Sequence, residues 1–517
     1  MFFADKRLWL LAPLLCATSV ISQETGRPPG APEPAQGTTL RTTARAVVLD
    51  VVVTDQDDHS VQNLQKQDFS LLEEDREQTV ATFEEVGSFP KATVGVSRAP
   101  GQDILLIDEI NAQFTDLAYA RYCVIKRLRR NGGRLEQPSS LMALTNEGLV
   151  VLHEPTRNGD ALLSALNQRR PGLPLLLGMG GIDNEMERIS ISLAALHKIA
   201  AAGAGSDVRR NIIWISPGFP IISSFYITVN TQDQVFQAIR KLSGELLHAR
   251  MTVYTVDPRG VPPSYDSFPV SGQGFGRYAQ MLADRGSLNF PDLALQRFAQ
   301  ETGGKSFWGR NDLDTEVARS MADGAHYYTI SYYPADRNFD GRFRRISVRI
   351  KRPSVKARTR AGYFAVPDSA PPTKDQLTNE LEEALGNPVP YTGMQIGAIA
   401  NLIPGEPHLQ HITLRLDRHE LTCKPMLNGR QECALIAATA LFSTKAKPLE
   451  IRSHDFSVSL PGHKTVDEAV IVDLTVLLDS QVSRLRVIVR DEASGRMGSV
   501  DLAPFPATTI APHTSPR

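Results

Sequence analysis

Residues 103–130, DILLIDEI followed by NAQFTD and LAYARYCVIKRLRR, decide the fold. The first segment is apolar without alternation over the length of one strand. Such a run is covered on both faces, as strands of a parallel sheet are. The last segment carries Leu117, Cys123, Ile125 and Leu128 as an apolar stripe, so it reads as a helix. Working outward, the same alternation recurs. SSLMALTNEGLVVLHEP (139–155) reads as a hairpin turning at Asn146, Glu147 and Gly148, and DALLSALNQR (160–169) as a helix capped by Asp160. A second, more apolar helix, ERISISLAALHKIAAAG, ends near Gly203. NIIWISPGFP (211–220) and MTVYTVDP (251–258) read as buried strands with a helix between them. PDLALQRFAQETGG is helical, KSFWG a short strand, DLDTEVARSMADGA helical, and HYYTISYYP (326–334) an aromatic strand. Strand–helix alternation of this kind predicts an α/β domain: a doubly wound, mostly parallel, Rossmann-like sheet over 101–365. GRFRRISVRIKRPSVKARTRAGYF (341–364) closes it as a hairpin. Arg345, Arg349 and Lys351 alternate there with Ile346, Val348 and Ile350, which gives one wet, basic face. That face reads as a charged edge strand, with polyanion binding as the alternative.

Two stretches break the rhythm. Residues 171–184 are glycine-rich, and 258–290 form a long insertion rich in Gly, Pro and aromatic residues. Long loops on such connections are often functional. On the amino-terminal side, 41–100 forms a small β module: RAVVLDVVVTDQD is strand-like, and DFSLLEEDREQTVATFEEV adds strands around a Glu-Asp turn. On the carboxyl side, 366–390 reads as a linker and 391–507 as a β-sandwich of about seven strands; 508–517 is a tail. The Asn428-Gly429 pair between Cys423 and Cys433 signals a tight turn, so a hairpin would bring the two thiols close enough for a disulfide to be tested.

Residues 1–21, with Lys6 and Arg7 before LWLLAPLLCATSV, read as a secretory signal peptide, an uncleaved anchor being the alternative. Residues 22–40 follow as a flexible linker. The expected destination is a periplasm, a cell surface or the medium. The chain has 517 residues, four cysteines and a formal net charge of -1. That balance gives no general attraction to nucleic acid or anionic lipid, and the length exceeds a single core.

AVVLDVVVTD, DFSLLEED, DILLIDEIN, RNIIWISPGFP, VYTVDPRG, FAQETGGKSFW, YYTISYYP and RAGYF follow one another in order. With them the sequence resembles the von Willebrand factor A-related exported proteins common in acidobacteria, over about residues 41–365. The resemblance implies a Rossmann-like A domain and no established enzyme activity. It also implies a divalent-metal site at the carboxyl ends of the strands, built from Asp-x-Ser-x-Ser, a Thr and an Asp. Here Asp108 matches the leading aspartate, but Ile110 and Ala112 stand at the serine positions and Pro217 replaces the acidic ligand; Thr156 is a loose counterpart of the threonine. The expectation is a degenerate metal site and no cofactor, with Asp108 as a structural carboxylate. A rearranged site using Glu109, Asn111 and Asp116 is the alternative.

Enzyme signatures are absent from the sequence: there is no Gly-x-Ser-x-Gly elbow, Walker loop or His-Glu-x-x-His. The expected function is a non-enzymatic, adhesion-type binding protein for a protein or surface glycan. Its expected contacts are Asp108, Glu109, Asn111 and Ser216, with Tyr265, Phe268, Phe275 and Tyr278 of the insertion. Envelope assembly is one alternative; a hydrolase using Asp108, Glu109 and Asp257 is another.

Overall fold

The computed structural model describes residues 45–87, 101–172, 182–218, 229–259, 295–307, 311–367, 371–443, 448–461, 469–478 and 481–503. The stretches read as a signal peptide (1–21), a linker (22–40) and a tail (508–517), and nearly all of the 258–290 insertion, lie outside the described residues. Those that are described belong to one compact unit, Arg45–Arg517.

Four strands come first: β1 (Val47–Thr54), β2 (Phe69–Glu73), β3 (Arg76–Gln78) and β4 (Val80–Gly87). Glu74 and Asp75 turn β2 into β3, both with the positive φ that a two-residue hairpin requires. The alternating region then gives β5 (Gln102–Asp108), α1 (Phe114–Leu128), β6 (Arg134–Thr145), β7 (Gly148–Asn158), α2 (Gly159–Gln168), α3 (Ile182–Gly203), β8 (Arg210–Ile215), α4 (Val229–His248), β9 (Met251–Val256), α5 (Leu295–Glu301), β10 (Ser306–Phe307) and α6 (Leu313–Ala325). Its strands form one sheet in the order β7-β6-β5-β8-β9-β10. Neighbours are parallel except β6 and β7, which form the hairpin. Counted along the chain this is the 3-2-1-4-5-6 order of doubly wound sheets, whose direction reverses between β5 and β8.

Why the strands are apolar throughout follows from the two cores. Ile104, Leu106, Ile212 and Trp214 enter one core with Leu196 and Ile199 of α3 and Leu246 of α4. Leu105, Ile107, Ile213 and Ile215 enter the other with Leu117 and Val124 of α1, Leu162 of α2 and Val317 of α6. Successive side chains point to opposite faces, and both faces are covered. Cys123 is a buried thiol in the second core. The cap of α2 is Asn158, which accepts from the amides of Asp160 and Ala161; Asp160 lies inside the first turn. An amide at the last residue of β7 competes successfully for the role the sequence suggested for Asp160.

The aromatic strand does not extend the central sheet. β11 (His326–Tyr332) lies between β1 and β4, antiparallel to both. Tyr328 packs on Phe69 and Phe83, with ring centroids 5.1 and 5.6 Å apart. Nor is 341–364 a lone edge hairpin. β12 (Phe343–Ile350) is an inner strand between β2 and β14 (Gly362–Phe364), and β13 (Lys356–Arg358) pairs with β1. The expected alternation survives: Arg345 and Arg349 are exposed and Ile346 is buried. Arg345, however, is engaged with Asp75 at 3.3 Å. The β module therefore takes half its strands from the end of the α/β region. Strand length and polarity alone do not specify which neighbour a strand chooses.

Residues 374–386 form α7 (Lys374–Gly386), capped by Thr373. It is no loose spacer: Leu381, Ala384 and Leu385 share one core with Ile199, Ile436 and Ile488. Eight strands follow: β15 (Ile396–Ile403), β16 (Glu406–Asp417), β17 (Lys424–Pro425), β18 (Arg430–Phe442), β19 (Pro448–Pro461), β20 (Ala469–Leu477), β21 (Arg484–Asp491) and β22 (Met497–Leu502). They form a sheet β15-β16-β20 and a sheet β17-β18-β21-β22 with β19 on β18. A shared apolar core, with Leu414, Val472, Leu435 and Val487, lies between them. Lys424 opposes Glu432, so Cys423 comes to face Cys433; their Cα atoms are 4.3 Å apart and the thiols are joined as a disulfide. Gly429, at φ 75°, makes the intervening turn. Among the described residues no helix is long and apolar enough to cross a membrane.

His197 of α3 joins this linker helix to the α/β domain. Its Nδ1 lies 2.6 Å from Glu245 of α4 and its Nε2 3.0 Å from Glu383 of α7. A neutral ring has one N–H, so only imidazolium donates to both carboxylates. The bond to Glu245 raises the His197 pKa above its ordinary 6.5, against the opposing effect of burial. A raised folded-state pKa stabilises fully below the unfolded value, and the effect fades as pH rises through the folded value. His197→Ala is expected to cost about 0.5–1 kcal/mol in urea unfolding on the acid side, where the pair is half-wet, and less on the alkaline side. An equal cost on both sides would refute the ionic role.

Candidate functional site

Asp108 ends β5 and Ser216 follows β8, the two strands that flank the reversal of strand order. The parallel register places Leu106 beside Trp214 and Ile107 beside Ile215, so Asp108 falls beside Ser216. Asp108, Trp214 and Ser216 therefore share one face. Asp108 has no exposed surface. Its Oδ1 accepts from the amides of Ile110 (3.1 Å) and Asn111 (2.9 Å). Its Oδ2 accepts from Asn111 Nδ2 (2.8 Å), Trp214 Nε1 (3.2 Å) and Ser216 Oγ (2.6 Å). Burial pushes the carboxyl pKa up, and the bonds from Ser216, Asn111 and Ile110 act against that.

Five donors of the protein itself thus converge on the two oxygens of Asp108. Ile110 and Ala112, at the positions the resemblance assigns to serines, are buried apolar residues. Asn111 also reaches Ser192 Oγ of α3 at 3.3 Å, and its Oδ1 accepts from Arg188 at 3.4 Å.

Glu109 points to the other face, where Arg169 after α2 binds it at 2.8 Å and the Gly172 amide adds a longer contact. Asp257, after β9, is held by Arg259 Nε and Nη2 at 3.0 and 2.6 Å. The three carboxylates suggested for hydrolysis are thus each committed to different partners. Asp108, Asn111 and Ser216 are brought together and Glu109 is not; Tyr265, Phe268, Phe275 and Tyr278 lie outside the described residues. Thr156 sits in β7, where its Oγ1 accepts from the Asn158 amide. Trp214, Arg169, Arg188 and Ser192 belong to this site and were missed from sequence. Trp214 and Ser216 carried a signal, being two apart on a buried strand; the arginines carried none. A separate group, Asp55, Asp57 and His59, occupies a surface turn. There the amides of Asp57 and His59 both donate to Asp55 Oδ1 at 2.9 Å, which accounts for its conformation.

A scan against protein-family models finds no match, and a search of curated proteins finds none. Among solved structures, the SpRpn10 VWA domain aligns at 14% identity over 32% of this chain and 91% of its own, with a TM-score of 0.17. A glycosyl hydrolase family 2 (GH2) member from Bacteroides cellulosilyticus DSM 14838 aligns at 13% identity over 89% of this chain and 74% of its own, with a TM-score of 0.13. At such TM-scores neither likeness bears on fold or function, and the description of the site rests on its own geometry.

Asp108→Ala would strand several buried donors. It is expected to destabilise by about 3–5 kcal/mol in urea unfolding, and Ser216→Ala by about 1–2 kcal/mol. Titration with Mg²⁺, Mn²⁺ or Ca²⁺ is expected to show no near-stoichiometric event at this carboxylate. An event that disappears in a folded Asp108→Asn variant would overturn the structural assignment.

Proposed function

We propose that this chain is an exported, von Willebrand factor A-related binding protein that recognises a protein or surface glycan through the carboxyl edge of its central sheet. The observation that carries the proposal is the parallel arrangement of β5, β8 and β9. Parallel neighbours end at the same edge. The segments that follow them, starting at Glu109, Ser216 and Asp257, therefore leave the domain side by side at the reversal of strand order, where α/β proteins bind their ligands. The long insertion starts from the third of these positions. Its aromatic residues Tyr265, Phe268, Phe275 and Tyr278 suit an interface, because rings supply contact area at low entropic cost. The buried network around Asp108 gives these segments a rigid base.

Export is supported by the Lys6, Arg7 and apolar start of the chain, and by the Cys423–Cys433 disulfide, a bond that persists in oxidising compartments. The commitment of Asp108, Glu109 and Asp257 to separate partners supports binding rather than hydrolysis as the role of this edge.

Two measurements on the native gene test the reading. Fractionation is expected to place the product outside the cytosol; a full-length cytosolic product would overturn export. In pull-downs from envelope extract, intact protein is expected to retain partners that a variant with a shortened 258–290 segment loses. Identical recovery by both proteins, or no recovery by either, would remove the insertion from the proposal.

A further inference from the structure

The outermost strand of the sheet β15-β16-β20 reads AVIVDLTVL. β20 pairs with β16 from Ala469 opposite Asp417 to Leu477 opposite Leu409, without a register shift. Among the described residues no strand pairs with its other side. The usual protections of a sheet edge are missing. The strand holds no proline, glycine or lysine and no bulge, and Asp473 is its single charge. Its β-branched, apolar composition makes such an edge a template for another strand. Val470, Val472, Leu474 and Val476 turn into the sandwich core. On the outer face Ile471 and Leu477 stay 52% and 49% exposed.

The order of these residues narrows what covers the edge. Two copies of one strand pair antiparallel about a two-fold axis, so each register is centred on a residue that faces itself. Centred on Val472, Asp473 falls opposite Ile471. Centred on Asp473, two carboxylates oppose each other. Centred on Thr475, Asp473 falls opposite Leu477. Registers centred nearer either end pair about half of the strand or less. Centred on Leu474, each position meets its own kind. Ile471 meets Leu477 and Asp473 meets Thr475 on the outer face, while Val472 meets Val476 on the inner face. Directly opposed pairs are what stabilises a sheet, and the two-fold axis makes each of these occur twice. Asp473 has the capacity for its contact. Thr413 Oγ1 donates to its Oδ1 at 2.8 Å, and His411 Nε2 lies 3.1 Å from the same oxygen. Neither contact uses Oδ2, and each carboxylate oxygen is an acceptor.

We propose that β20 pairs antiparallel with β20 of a second copy of this chain, about an axis at Leu474, and joins the two three-stranded sheets into one continuous sheet. Ile471 then covers Leu477 of the second copy, and the Thr475 hydroxyl of one copy donates to Asp473 Oδ2 of the other. The inference is independent of the reading of the carboxyl edge.

Sedimentation velocity of the chain without residues 1–21, its disulfide intact, tests this over about 1–200 µM. A reversible dimer is expected, with a Kd on the order of 10 µM for so small an interface. Thr475 is exposed, so its substitution leaves the core unchanged. Thr475→Asp opposes like charges twice and is expected to weaken the dimer by about tenfold. Thr475→Lys opposes an ammonium to each Asp473 and is expected to tighten it. Within one strand Ile471 and Leu477 lie about 20 Å apart, at about 3.3 Å per residue. The double variant Ile471→Cys/Leu477→Cys is therefore expected to crosslink two copies on mild oxidation, and neither single variant is. A monomer throughout the concentration range would overturn the proposal and leave the edge to an extended segment of another protein. Equal dimerisation of Thr475→Asp and Thr475→Lys would also overturn it, as would crosslinking of a single variant as readily as of the double one.

Discussion

A carboxylate without solvent, at the point where the sheet reverses its strand order, constrains everything near it. An isolated charge at Asp108 would be costly to bury, so its surroundings must supply donors in fixed positions. The amides of Ile110 and Asn111 can reach Oδ1 only if the chain turns sharply after β5. Trp214 can reach Oδ2 only if β8 keeps its register with β5. Ser216 must follow β8 on the same face, and Asn111 must meet α3 at Ser192. One side chain thereby ties two strands, one loop and one helix. The network thereby ties the carboxyl ends of β5 and β8 to one another and to α3.

A second level of organisation joins the layers. One apolar core runs from Ile104 and Trp214 in the central sheet through Leu385 of α7 to Ile436 and Ile488 in the sandwich. Buried arginines fix the orientation at its borders. Arg250 pairs with Asp50 of β1, and Thr329 of β11 joins them; Arg486 pairs with Asp501 and reaches the Asn387 carbonyl. Arg210 donates to Thr392 at 2.5 Å, and its desolvation lowers its pKa to about 10. Guanidinium groups suit such borders because their several donors can satisfy carbonyls and carboxylates on different elements at once. The β module, the α/β domain and the sandwich therefore pack as one body, with α7 as an internal helix between two of them.

The sequence by itself determined the secondary elements and the fold class. An apolar strand of one length and a helix of another period can be read locally, because 2.0 and 3.6 residues per repeat are properties of the backbone. QDILLID, NIIWIS and MTVYTV thus announced a sheet covered on both faces, and Asn428-Gly429 announced the turn that closes the disulfide. Tertiary structure alone decided which strand lies beside which. HYYTISYYP joined β1 and β4 instead of the central sheet, because pairing across hundreds of residues is set by the packing of Tyr328 on Phe69 and Phe83. It also decided the partners of the charges whose mates lie far along the chain: Trp214 and Ser216 for Asp108, and Arg169 for Glu109. Hydrogen bonds are formed over about 3 Å, and only the folded chain brings atoms so far apart in sequence to that distance.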